Sequence, residues 1–248
     1  MARLSMLQPA NPPEFSRDMI ADLPEPARRY FTFAISEGTP LRTVVRLKME
    51  GRFGMGDKSA PGYQSMQADQ VLAAPYGFVW SMTAGSGMMH LSGSDSGSWT
   101  RFWLAGLFPV ARLGGEPDHA RSAFGRYIAE SVFWSPAALL PGPGVSWMAV
   151  SENMARVTVQ LGELKQAVDI SVDAQGQLQY VKFERWSNAN SDKTYRLQPF
   201  GGYLSEYREF SGFRLPTHVE AGNRFETDTY FPFFIADVTK ITFPGSGS

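Results

Sequence analysis

From Leu41 onward the chain is a succession of short β-prone runs, TVVRLKMEGRF, YQSMQADQVLAA, YGFVWSMTAG and MMHLSGSDSG, with glycine, proline or serine between them. Runs of this length and spacing read as antiparallel strands of a meander. SWTRFWLAGLFPVARL continues the series and is too apolar, through Trp99, Phe102, Trp103, Leu104, Leu107, Phe108 and Val110, for a strand with one wet face. Strand texture resumes after Gly144 and runs to FIADVTKITF, with DAQG and FSG as hairpin turns whose glycines supply positive φ. A sheet of roughly ten or more strands is expected to curl or close on itself.

Two helical segments interrupt this pattern. In LPEPARRYFTFAISEG, Pro24 and Pro26 mark a helix start, Ala27, Tyr30, Phe31 and Ala34 share a face, and Gly38 is the expected stop. In EPDHARSAFGRYIAESVFW, Asp118 is the expected N-cap, Phe124, Tyr127, Ile128, Ser131 and Val132 keep the rhythm of a helix face, and Pro136 ends it. The fold class is therefore α+β, mainly β: a strongly curved antiparallel sheet, a half-barrel or open barrel, wrapping one central helix, with a short N-terminal helix. Residues 1–22 read as a proline-rich arm, 23–244 as a single β-rich ligand-binding domain, and 245–248 as an appended linker.

Composition excludes whole classes of function. The net charge is −1 and Lys and Arg are scattered, so the basic footprint of a nucleic-acid binder is missing. The absence of cysteine removes disulfides, thiolate nucleophiles and Cys-ligated metals. There is no dinucleotide fingerprint, P-loop, HExxH, GxSxG or EF-hand loop, and Ser-Gly material at Leu91 to Gly97 reads as a turn, so no cofactor is expected. Of the three histidines, His90, His119 and His218, none stands at metal-ligand spacing with another, and His119 reads as a solvated residue at a helix start. No metal site is expected. With no signal-peptide apolar run and no transmembrane segment, the expected location is cytoplasmic.

The candidate chemistry lies in a few polar residues set among aromatics. Arg126 and Glu130 are one turn apart on the central helix, flanked by Tyr127 and Trp134. Exposed, they form an ordinary surface pair; turned towards the sheet, they form a buried pair suited to a polar ligand group. His218 and Glu220 share one face of their strand and read either as a proton-transfer pair or as two solvent-facing residues. Tyr207 either donates to a ligand oxygen or packs with its tip in water. Six tryptophans and eighteen phenylalanines suit an interior cavity for a small hydrophobic or aromatic molecule. Its lining candidates are Trp80, His90, Arg101, Trp103, Arg126, Trp134 and Glu220. Two functions follow: a cofactor-independent lyase, isomerase or hydrolase with Glu130, His218 and Tyr207 as acid and base groups, or a non-catalytic carrier or sensor of an apolar molecule or lipid.

LPEPARRYFTFAI, GLFPVA, RYIAESVFWSPAALLPGPGVSW and EYREFSGFRLPTHVE resemble successive signature blocks of a large bacterial family of unknown function. The third block is the most specific. Arg126, Tyr127, Ala129, Glu130, Val132, Pro136, Ala138, Leu139, Leu140 and Pro141 match, while Phe133-Trp134 reverses the family's aromatic order and Ser135 is an added residue. The resemblance implies a curved antiparallel sheet or half-barrel similar to lipoprotein carriers that hold an acyl chain. It brings no catalytic residues with it.

Overall fold

The computed structural model describes residues 1–245. Six strands come first: β1 (Val45–Gly54), β2 (Tyr63–Ala73), β3 (Gly77–Ala84), β4 (Leu91–Ser96), β5 (Trp99–Leu104) and β6 (Phe108–Gly114). Seven follow: β7 (Val145–Ser151), β8 (Met154–Leu161), β9 (Leu164–Val172), β10 (Leu178–Ser187), β11 (Arg196–Phe210), β12 (Phe213–Asn223) and β13 (Phe231–Thr242). All thirteen form one sheet in the order β6-β5-β4-β3-β2-β1-β13-β12-β11-β10-β9-β8-β7. Each half is a meander, and the halves meet where β13 pairs antiparallel with β1, from Arg46 opposite Thr242 to Phe53 opposite Phe234. The edges β6 and β7 do not pair, so the sheet is curved and unclosed.

This order makes a demand on the connection between the halves, which must carry the chain from one edge of the sheet to the other. Helix α3 (Pro117–Trp134) does so, spanning about 27 Å at 1.5 Å per residue. It packs against β3, β9, β10 and β12, strands from both halves. Its buried side chains include Phe124, Tyr127, Ile128, Val132 and Trp134, which join the core formed by the sheet's inner face. Alternation builds that face: in β1, Val45, Leu47 and Met49 are buried while Arg46, Lys48 and Glu50 are exposed.

Helix α2 (Glu25–Ala34) follows a short α1 (Ala2–Ser5) and buries Ala27, Tyr30, Phe31 and Ala34 as its spacing predicts. The Tyr30 hydroxyl donates to the Val132 carbonyl at 2.5 Å, tying α2 to the end of α3. The helix stops at Ala34 rather than Gly38, because Ile35 is already extended and bridges to Phe213. The first 22 residues lie against the domain: Phe15 and Ile20 are buried, and Glu14 bridges to Pro40. The expected linker at 245–248 falls outside the described residues apart from Gly245. Among the described residues, no helix is long and apolar enough to cross a membrane.

Three local expectations change. Leu91–Ser96 is strand β4 and not a turn, since Gly93 lies so close to β5 that a Cβ there would sit 2.1 Å from the Arg101 carbonyl. Asp118 is in the first turn of α3 with Glu116 at the N-cap, and its carboxylate accepts from Trp186 Nε1 at 2.8 Å. The apolar run after Trp99 is not buried on both faces. It divides into β5 and the edge strand β6, leaving Leu107, Phe108, Val110 and Leu113 between 50% and 75% exposed. A strand with a neighbour on one side only has less to pack against than its composition suggests.

Candidate functional site

Strand register sets four side chains in a row on the inner face. Gln70 of β2 pairs with Trp80 of β3, Trp80 with Asp95 of β4, and Asp95 with Thr100 of β5. Cross-strand partners share a face, so polar residues from three strands and one tryptophan form a rung. Opposite them, α3 places His119, Arg126 and Glu130 two turns and then one turn apart, which keeps all three on one stripe of the helix.

Stripe and rung meet residue by residue. His119 Nε2 is 2.9 Å from Thr100 Oγ1, and that hydroxyl donates to Asp95 Oδ1 at 2.5 Å. Arg126 Nη1 donates to Asp95 Oδ2 at 2.7 Å, and its Nε donates to Glu130 Oε1 at 2.8 Å. Gln70 Nε2 donates to Glu130 Oε2 at 2.5 Å. The Arg126 guanidinium lies 4.8 Å from the ring centroids of both Phe78 and Trp80. Its side chain is 16% exposed and each carboxylate 15%, so this is a buried charged cluster and not a surface pair. Burial opposes the charge on Arg126, but Glu130 and Asp95 together hold the guanidinium above its usual range.

Beside the cluster, between α3 and the inner face, is a cavity of about 350 Å³. That volume is within the range of small-molecule sites. Its wall is apolar: Ala129, Phe133 and Trp134 come from α3, Trp80, Met82 and Phe102 from the first meander, and Phe183, Leu204, Val219 and Phe234 from the second. Four charged residues reach it, Asp95, Arg126, Glu130 and Arg185. Gly201 and Gly202 give β11 its bare wall; Phe225 closes on Gly201 so tightly that a Cβ would stand 2.6 Å from its ring.

Of the residues expected from the sequence, Arg126, Glu130, Trp80 and Trp134 line this cavity. His218, Glu220, Tyr207, His90, Arg101 and Trp103 do not. On β12 the buried, inward residues are Leu215, Thr217 and Val219, so His218 and Glu220 face outward. There His218 Nδ1 is 2.7 Å from Asp237 and Nε2 is 3.4 Å from Glu220. Burial opposes protonation of His218, yet the two carboxylates raise its pKa. Arg101 and Trp103 alternate with inward Phe102 and so point away as well. His90 ends the 3-10 turn Gly87–Met89, before β4 begins. Tyr207 packs edge-on to Phe33 of α2 and donates to the Leu178 carbonyl at 2.8 Å, and burial pushes its hydroxyl well up. The three expected acid and base groups therefore never meet. Among them only Glu130 reaches the cavity, with both oxygens already occupied.

His119 is buried, contrary to its reading as a solvated residue, because the helix start leans onto Thr100. Sequence reasoning passed over Gln70, Asp95 and Arg185. Alternation carries the signal for two of them: Gln70 continues the buried series Met66, Ala68, and Arg185 continues Val181, Phe183. A polar residue on the apolar phase of a strand marks a place where burial is tolerated for a reason.

A family model described as a family of unknown function, DUF6544, matches residues 13–235. No curated protein matches the chain. Among solved structures it is similar to a LolA superfamily protein from Nitrosomonas europaea, with 8% identity over 88% of this chain and 91% of that one, at a TM-score of 0.44. It is also similar to a putative outer membrane lipoprotein-sorting protein domain from Vibrio parahaemolyticus, with 8% identity over 83% of this chain and 87% of that one, at a TM-score of 0.39. Likenesses at this level carry no argument about function.

Proposed function

We propose that the chain, which belongs to the DUF6544 family of unknown function, binds one apolar small molecule or lipid chain between α3 and the inner face of its sheet, as a carrier or sensor. The observation that carries this reading is the cavity of about 350 Å³, walled by aromatic and aliphatic side chains, with three of its four charged residues gathered in one cluster. Such a chamber removes apolar ligand surface from water at about 25 cal/mol per Å². The Asp95–Arg126–Glu130 cluster, completed by donors from Gln70, Thr100 and the Ser96 N–H, is suited to fixing α3 against the first meander. The acid/base reading loses its support because its three groups stand in three different places.

A neutral fluorescent probe, N-phenyl-1-naphthylamine, tests the reading. It should bind one per chain, with a saturable rise in emission. Ala129→Trp, which fills the chamber from α3, should weaken binding more than about tenfold while cooperative unfolding is retained. Val219→Phe fills it from β12 and serves if the first variant does not fold. Probe binding unchanged in a folded filled variant overturns the reading.

A further inference from the structure

Hydrogen-bonding capacity in the chamber is one-sided. Both carboxylates that reach it are engaged: Glu130 accepts Arg126 on one oxygen and Gln70 on the other. Asp95 accepts Arg126 on one oxygen, and the Thr100 hydroxyl and the Ser96 N–H on the other. The donors are not. Arg185, on the inner phase of β10, makes no hydrogen bond or ion pair among the described residues, and its Nε is sealed from solvent. Trp80 Nε1, in the same wall, is likewise buried without an acceptor. Folded interiors hold few such groups, because an unmatched buried donor is costly, more so when charged.

The Arg185 guanidinium lies 5.0 Å from the ring centroid of Phe200, another wall residue. Stacking on a ring occupies the face of a guanidinium and leaves its in-plane N–H fork available for two oxygens. Burial, followed by repulsion from Arg126, brings Arg185 down to about 10, while Asp95 and Glu130 pull in the opposite direction without bonding to it.

We propose that Arg185 is the head-group site of the chamber and takes the carboxylate of an amphiphile whose apolar body lies along the wall. This rests on the apolar-binding reading above and names the class of its ligand. Trp80 Nε1 is a second donor for the polar end. An acid so held exchanges hydration for charge-assisted hydrogen bonds, and these are the strong ones.

The test compares decanoate with 1-decanol at pH 8, by displacement of N-phenyl-1-naphthylamine from the full chain. In the native protein decanoate should bind at least about tenfold tighter than the alcohol. Arg185→Met should abolish that preference, and Arg185→Lys should restore part of it. Equal binding of acid and alcohol by the native protein overturns the assignment, and so does a preference that survives Arg185→Met. The native comparison decides even if Arg185→Met does not fold. If the probe and the alcohol bind and the acid gains nothing, only the Arg185 assignment fails. If neither alkyl compound nor the probe binds, the apolar-chamber reading fails with it.

Discussion

Replacing Arg126 by Met keeps most of the side chain's apolar bulk and removes its charge, leaving Asp95 and Glu130 as carboxylates only 15% exposed. The lost contacts are charge-assisted bonds of 2.7 and 2.8 Å and the packing over Phe78 and Trp80. Breaking a buried pair by deleting one partner costs about 3–5 kcal/mol. Here the stranded carboxylates keep donors: Gln70 for Glu130, and Thr100 and the Ser96 N–H for Asp95. The lower end of the range, about 3 kcal/mol, is therefore expected, or a fall of roughly 6–12 °C in Tm for a chain this size. Urea unfolding followed by tryptophan fluorescence measures it. A triple variant, Asp95→Asn, Arg126→Met and Glu130→Gln, removes the charges together and should recover to within about 1 kcal/mol of the native protein. A loss below about 1 kcal/mol in Arg126→Met, or a triple variant no better than the single, would refute a desolvated cluster.

His218 supplies a pH dependence with a definite sign. Its folded pKa lies above 6.5, so its contribution to stability is complete below that pH and disappears as pH rises through the folded value. Subtracting the unfolding free energy of His218→Gln from that of the native protein should leave this falling curve, and a flat difference contradicts it. Gly212 turns β11 into β12 with φ +88°, and a Cβ there would stand 2.2 Å from Thr39 Oγ1. Gly212→Ala should lose more than about 1 kcal/mol in the same urea assay, and an unchanged midpoint would mean that the turn and Thr39 part without strain.

How much of this was legible depends on what a one-dimensional pattern encodes. Period survives in sequence, so the buried faces of α2 and α3, the hairpins at DAQG and FSG, and the many-stranded sheet interrupted by one long helix were readable. The family resemblance was readable too, since its blocks fall within the span matched by the family model. Phase relative to the core does not survive. His218 and Glu220 share a face, as alternation requires, but only packing decides that Val219 is inward and they are outward. Neighbour count is lost as well, and the apolar residues of β6 are exposed because that strand is an edge. The partnership of Arg126 with Glu130 is local and was visible. Its partnership with Asp95, and that of Glu130 with Gln70, needed the register of β2, β3 and β4 against the helix.

The most direct measurement is a crystal structure of the protein grown with decanoate. Ordered alkyl density between α3 and the sheet, running beside Ala129, Leu204 and Val219, is the expected result. A chamber closed by its own side chains, with the ligand outside it or absent, would contradict the binding function.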